Sequence, residues 1–520
     1  MNSTLSENAA RRLVPTVING EEHPPFQGIG KFRPQGRKAR SLIRTCADYP
    51  SDGNKTIATL REALQRSGLR DGMTLSTHHH LRNGDALTSL LFAAVKSLGV
   101  KNIRWFPSAS FPVHEYLLPH LEDGTIHHIE GSLNGPLGKF ASLGKMAGTG
   151  ILRSHGTRYQ AVQDGEVHID IAVIAAPAAD AFGNANGVYG KSACGPLGFA
   201  LADSEYADRV IIVTDNLVPF PCVPWHIQGN NVDYVVQVDS LGDPSKIISG
   251  TTEITKSPDR LLIAEYLARF VEEAGLMREG FSLQAGAGGT SLAFVQFLKE
   301  RMKAKNIKAR FVRGGSTKHL VQLLEEGLTD YILDGQAFDQ EGVRSLRENV
   351  RHVNTSPFTS YNYHGKGNFA SMVDIVVLGA TEVDVDFNAN VVTHSDGYLL
   401  HGLGGWQDCL FAKCVILAVP SFRDRVPIIV DRVTTLCGPG EMIDVIVTER
   451  GIAVNPLRED LLAALTNSSL PLRTLQEIQQ EVHAICGGPP APPKLERQQP
   501  VAVVKWVDGT ILDAIFRVLD

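Results

Sequence analysis

Residues 374–408 read DIVVLGATEVDVDFNANVVTHSDGYLLHGLGGWQD. The apolar run 375–378 is short enough for a buried strand. One acid, Glu382, stands where the run ends, with Asp384 and Asp386 close behind. Beyond it come an Asn-Ala-Asn turn (Asn388 and Asn390), a Ser-Asp-Gly turn (395–397) and the loop Gly402-Leu403-Gly404-Gly405. A carboxylate at the end of a buried strand, facing a glycine loop with open amides, suits acyl chemistry.

The stretch has a counterpart earlier in the chain. Asp170 begins DIAVIAAPAADAFGNANG. Aligned on Asp374, 204 residues later, it sets Asp180 on Asp384, Asn184 on Asn388 and Asn186 on Asn390. Independently, SGLRDGMTL followed by KNI (67–103) resembles AGLMREGFSL followed by KNI (274–307), with Lys101 and Lys305 again 204 apart. Two matches in one register indicate a duplicated domain. The copies differ at one place of interest: opposite Glu382 the first half has Ala178.

At 520 residues the chain is too long for one ordinary core. Charged residues are 20% and hydrophobic ones 43%, as in soluble proteins. The net charge of −6 gives no footprint for nucleic acid or an anionic membrane. The locally basic segment 36–44 reads as a solvated arm. Seven cysteines, Cys46 among them, show no CxxC or Cys/His zinc spacing, which fits a reducing compartment. There is no signal pattern, and no apolar run reaches the ~18 residues of a membrane span, so a cytoplasmic protein is expected.

The expected organisation is an arm (1–54), loosely attached, then a first domain (55–250) and a second (251–520) that ends in a hairpin. In the first, a strand at 73–76 empties into Thr77-His78-His79-His80-Leu81-Arg82, followed by a helix and another strand. This βαβ pattern implies α/β domains with mainly parallel sheets, whose strand ends bind ligands. In the second, a strand at 281–284 leads into Ala285-Gly286-Ala287-Gly288-Gly289, then a helix. That loop is a generic anion cradle, though it lacks the ending of a P-loop. Another strand runs into Arg313-Gly314-Gly315. Residues 489–493 read as a Pro-rich linker, and 501–519 as the terminal hairpin around Asp508-Gly509.

The triple histidine cannot turn three side chains toward one metal from a strand, since side chains alternate. Lining of the ligand mouth fits His78 and His79 better, with Arg82 meeting carboxylate or phosphate. Asp384 recurs as Asp180, so it reads as a turn residue common to both copies. Glu382 does not recur and is the candidate catalytic acid. No Gly-x-Ser-x-Gly elbow points to a hydrolase triad.

The sequence resembles the citrate lyase alpha-subunit family within the CoA-transferase superfamily. The resemblance is carried by FGNANGVYGKSACGPLGFA (182–200), SLQAGAGGTSLAF (282–294), RGGSTKHLVQLLEEGL (313–328), DIVVLGATEVDVDFNANVVTHSDG (374–397) and VAVVKWVDGTILDAI (501–515). It implies two tandem CoA-transferase-like domains with the active site between them. It also implies exchange of acetate for citrate on a thioester, giving a citryl thioester. The implied partners are the lyase beta subunit and an acyl carrier (gamma) subunit. The carrier bears a prosthetic group of the dephospho-CoA type, with no tightly bound cofactor and no metal on the chain itself. The implied catalytic set is Glu382, Gly404, Gly405 and Asp408. The implied binding set is His78, His79, Arg82, Arg313, the glycines 286, 288 and 289, and the asparagines Asn184, Asn186, Asn388 and Asn390. One departure stands out: the family's Gly-Gly-His-x-Asp loop is here Gly404-Gly405-Trp406-Gln407-Asp408. The alternatives are a related acyl-CoA transferase or hydrolase acting on another acid such as citramalate, or a non-catalytic assembly subunit.

Overall fold

The computed structural model describes residues 5–32, 50–247, 253–362 and 367–519. The basic segment 36–44 and Cys46 lie outside them. Two large sheets dominate. The first has ten strands, and its centre runs from Gly150–Leu152 through Ile126–Gly131, Ile103–Pro107, Thr74–Thr77, Ile171–Ala175 and Arg209–Thr214 to Tyr234–Gln237. The second has eight, centred on Ser282–Ala285 and Ile375–Leu378. Every pairing within the first is parallel except the terminal hairpin, and every pairing within the second except Val445–Thr448 with Gly451–Val454.

The apolar run 375–378 shows why the sheets are parallel and buried. Ile375 and Val377 point into one core, shared with Leu283, Phe294 and Ile416. Val376 and Leu378 point into the other, which continues into the first half through Val173, Ile212 and Trp105. A strand covered on both faces needs apolar residues at every position, so its sequence does not alternate.

The 204-residue repeat reappears as geometry. Ala178–Asp180 pairs antiparallel with Ala185–Asn186 and parallel with Leu217–Val218. Glu382–Asp384 pairs in the same way with Ala389–Asn390 and Ile429–Val430. Asn102 and Asn306, also 204 apart, both adopt the left-handed conformation, at φ 60° and 52°, which asparagine tolerates better than most residues.

Two expectations need correction. The C-terminal hairpin, Leu495–Lys505 with Ile511–Val518, does not extend the second sheet. It joins the first, Ala502–Val504 running parallel to Gly150–Leu152. It thereby covers an edge that would otherwise offer unpaired backbone groups. Nor is the described part of the N-terminal arm loose. Asn8 donates its side-chain amide to the Ile511 and Leu512 carbonyls at 3.1 and 2.7 Å. Phe26 is buried against Trp506, and its amide bonds the Ile511 carbonyl. Both termini therefore wrap one edge of the first sheet. Among the described residues, no helix is long and apolar enough to cross a membrane.

Candidate active site

Glu382 is 2% exposed. Its carboxylate accepts hydrogen bonds from the Asn390 side-chain amide at 2.9 Å, the Thr434 backbone at 2.8 Å and the Thr434 hydroxyl at 3.1 Å. Burial pushes its pKa above the ordinary carboxylate range, while these donors and the Arg12 charge pull against that. Glu382 lines a cavity of about 510 Å³. The N-terminal arm, the loop 430–435, the Pro-rich segment 489–493 and the terminal hairpin build its walls. The proline segment is thus a wall of this cavity.

The neighbouring residue faces the other way. Thr381 lines a second cavity of about 880 Å³, together with Gly286, Gly288, Gly289, Gly402, Leu403 and Trp406. Consecutive strand residues point to opposite sides, so Glu382 and the glycine loops stand on two sides of one strand. The glycine cavity carries Lys256, Arg260 and Arg423. Added Cβ atoms at Gly288 would meet nothing within 4 Å, so that backbone is open to a ligand. Gly288 also precedes the 17-residue helix Gly289–Lys305, whose N-terminus has no side-chain cap. Trp406 follows the glycine pair Gly404-Gly405. Its indole donates to the Gly379 carbonyl at 2.8 Å and closes one wall of this cavity. Gln407 turns inward and donates to the Cys437 carbonyl at 2.9 Å.

A third group of the expected residues meets at the seam between the halves. The His79 ring bridges Ser108 at 2.6 Å and Gln336 at 3.0 Å and stacks on His155. Arg82 lies over the rings of Phe338 (4.5 Å) and Phe111 (5.2 Å), one from each half. Arg313 donates to Gln284 at 2.8 Å and covers the Tyr361 ring. The Nε atoms of both arginines are buried without a hydrogen-bond partner among the described residues. Gly404 and Gly405 lie beneath His155 and Tyr361. The Gly404 carbonyl accepts the His155 amide at 2.7 Å, and a Cβ on Gly405 would come within 2.9 Å of the Tyr361 hydroxyl.

Asp408 is a tie across the seam. It accepts the Ser154 hydroxyl at 2.9 Å and the Gly156 amide at 3.0 Å. A Cβ on Gly156 would meet the Asp408 carboxylate at 2.3 Å, so this approach requires glycine. His78 belongs to a buried ion cluster, 2.8 Å from Asp203, which also takes two bonds from Arg158. His80 bonds the Ala175 carbonyl at 2.9 Å.

The asparagines are committed to their turns. Asn184 and Asn388 each donate to the aspartate four residues earlier, and each accepts a backbone amide, from Gly229 and Gly440 respectively, at 2.9 Å. Asp180 and Asp384 collect the amides of those turns, which is the structural role their recurrence implies. Asn186 and Asn390 fold the next turn in the same way.

Sequence reasoning missed Arg11, Arg12, Arg432 and Arg497 around Glu382, and His155 and Tyr361 over the glycines. The pair Arg11-Arg12 in an otherwise uncharged stretch was the one local signal.

The family model described as citrate lyase, alpha subunit, matches residues 53–518. The citrate lyase alpha chain of Haemophilus influenzae is 40% identical over 486 residues, 93% of this chain and 96% of its own length. That of Klebsiella pneumoniae is 41% identical over 89% of this chain and 91% of its own. The chain belongs to the citrate lyase alpha-subunit family. A solved Streptococcus mutans structure, described as the alpha subunit of citrate lyase in complex with citrate, superposes with a TM-score of 0.94 at 40% identity. It covers 99% of this chain and all of that one. The alpha subunit of a malonate decarboxylase from Acinetobacter baumannii (TM-score 0.61, 16% identity) shares the fold. So does a 4-hydroxybutyrate CoA-transferase from Porphyromonas gingivalis (0.54, 15%).

Proposed function

We propose that this chain is a citrate CoA-transferase, the alpha subunit of a citrate lyase, and that Glu382 carries its chemistry. The observation that supports this is the asymmetry of the two copies. The same small sheet is built twice and each copy keeps its turn aspartate, but only the second begins its first strand with a carboxylate, Glu382 in place of Ala178, held by three donors and lining a cavity.

The Glu382 carboxylate attacks the carbonyl of the acetyl thioester. The C–S bond breaks, leaving an acetyl-glutamyl anhydride and a thiolate. The thiolate then attacks the glutamyl carbonyl, which releases acetate and leaves a glutamyl thioester. A citrate carboxylate attacks that thioester, and the returning thiolate takes the citryl group, which restores the Glu382 carboxylate. Each addition places negative charge on a carbonyl oxygen, and Thr434 and Asn390 hold the nucleophile's oxygens through the cycle.

The thiol belongs to a dephospho-CoA-type group on an acyl carrier subunit, and a beta subunit cleaves the citryl thioester. The full-length alpha citrate lyase relatives and the citrate-bound neighbour support these assignments. The test is product analysis with acetyl-CoA as carrier substitute. Citrate should yield citryl-CoA and acetate in equal amounts. Transfer to another acid, or hydrolysis to acetate and free CoA alone, would contradict the reading.

A further inference from the structure

We infer that Arg11, Arg12, Arg432 and Arg497 form a clamp for the carboxylates of the acid substrate at the mouth of the Glu382 cavity. This rests on the proposed role of Glu382. The four guanidinium groups come from three distant parts of the chain and line one cavity of about 510 Å³, within the ~300–1,000 Å³ usual for small-ligand sites.

Like charges are held together here. Arg12 lowers the Arg432 pKa more than any other group does, and Arg497 adds to the effect. Asp384 and Asp513 partly offset this at Arg432, and the ion pair that the four arginines make among the described residues is that of Arg12 with Asp513, at 3.5 Å. That carboxylate is already bonded by the Leu436 and Ala514 amides. Glu7 and Asp431 also line the cavity, and Asp431 accepts the Gln479 amide. Among the described residues, no carboxylate lies within ion-pair distance of Arg11, Arg432 or Arg497. A cluster of this kind is stabilised by an anion with several carboxylates, each able to take paired guanidinium donors.

The arm is folded to present it. The Asn8 side-chain carbonyl accepts the amides of Ala10 and Arg12 at 2.9 and 3.1 Å, closing a turn in which Arg11 is left-handed at φ 55°. Arg12 donates to the Val433 carbonyl and Arg432 to the Arg11 carbonyl, at 3.0 and 2.6 Å. These bonds fix the arm against the loop that holds Glu382.

The experiment uses Arg11→Gln and Arg497→Gln in the full chain, because neither side chain makes a hydrogen bond or ion pair among the described residues. Citrate is titrated calorimetrically, and KM for acetyl-CoA is measured alongside. Each variant should weaken citrate about 10-fold and the pair about 100-fold, the loss of one charge-assisted contact each, with the acetyl-CoA KM unmoved. Unchanged citrate affinity, or no citrate binding by the unaltered chain, overturns the clamp. So does a rise in acetyl-CoA KM alone, which would assign the cluster to thioester phosphates. Glu382→Gln should still bind citrate. Weak citrate binding in the arginine variants with full turnover in Glu382→Gln would keep the clamp and refute the reading of Glu382.

Discussion

Asn390 donates its side-chain amide to Glu382 at 2.9 Å, whereas its counterpart Asn186 donates to the Cys222 thiol at 3.3 Å. Both asparagines accept the amides two and three residues on, so the copies part in what their side-chain amides reach. Asn390→Asp would replace the donor with a second carboxylate of nearly the same shape. Two acids side by side cannot both ionise easily, and the Glu382 pKa should rise by ~1 unit or more. A nucleophilic carboxylate must be ionised, so the acid limb of kcat should move to higher pH. A pH profile at saturating substrates checks this. An unshifted limb would mean that the bond does not tune the carboxylate.

The arm makes a separate prediction. Asn8→Ala removes two bonds to the hairpin and two that close the Arg11–Arg12 turn. The buried carbonyls of residues 511 and 512 lose a donor, at a cost of about 1–3 kcal/mol. Cleavage within the first 30 residues by a trace of protease should accelerate, and citrate affinity should fall. An arm as resistant as the parent's would show that Phe26 and the backbone pairing suffice.

The histidine run predicts how stability depends on pH. Burial lowers the pKa of His78, and of His79 well below the usual range, while His80 is lowered to about 4. The unfolded chain takes up protons near pH 6.5, whereas the folded one resists until about pH 4 at His80. Stability is therefore complete above 6.5 and is lost as pH falls toward 4, by about 1.4 kcal/mol per pH unit for each such group. His80→Gln, which keeps a donor for the Ala175 carbonyl, should flatten the slope by one proton between pH 6 and 4.5. Denaturant midpoints at several pH values measure it, and a parallel shift without a change of slope would contradict it.

Much of the fold was legible because it rests on local patterns. The apolar run 375–378 needed no alternation to declare itself a doubly covered strand, and the 204-residue register survived as paired turns and paired left-handed asparagines. The contrast of Glu382 with Ala178 was visible for the same reason. What stayed hidden depends on chain return. Nothing in residues 495–518 says that the hairpin pairs beside Gly150–Leu152 rather than at the nearer sheet, since both offer an open edge. The arginines at 11, 12, 432 and 497 are unremarkable until the termini meet. The side of the strand that Glu382 faces was also not readable. One residue of register separates the glycine cavity from the arginine cavity, and that register is set by the small sheet's pairing with Ile429–Val430.

The central claim is that Glu382 carries the reaction, and Glu382→Gln tests it most directly. The amide keeps the size of the side chain, so the variant should fold and melt close to the parent. Transfer from acetyl-CoA to citrate should fall by ~10²-fold or more, as when an acid-base or nucleophilic group is lost. Mass spectrometry of the unaltered chain after acetyl-CoA should show a CoA adduct on Glu382 that citrate discharges. Transfer at the parent's rate in Glu382→Gln would contradict the account and move the chemistry to the glycine cavity across the strand.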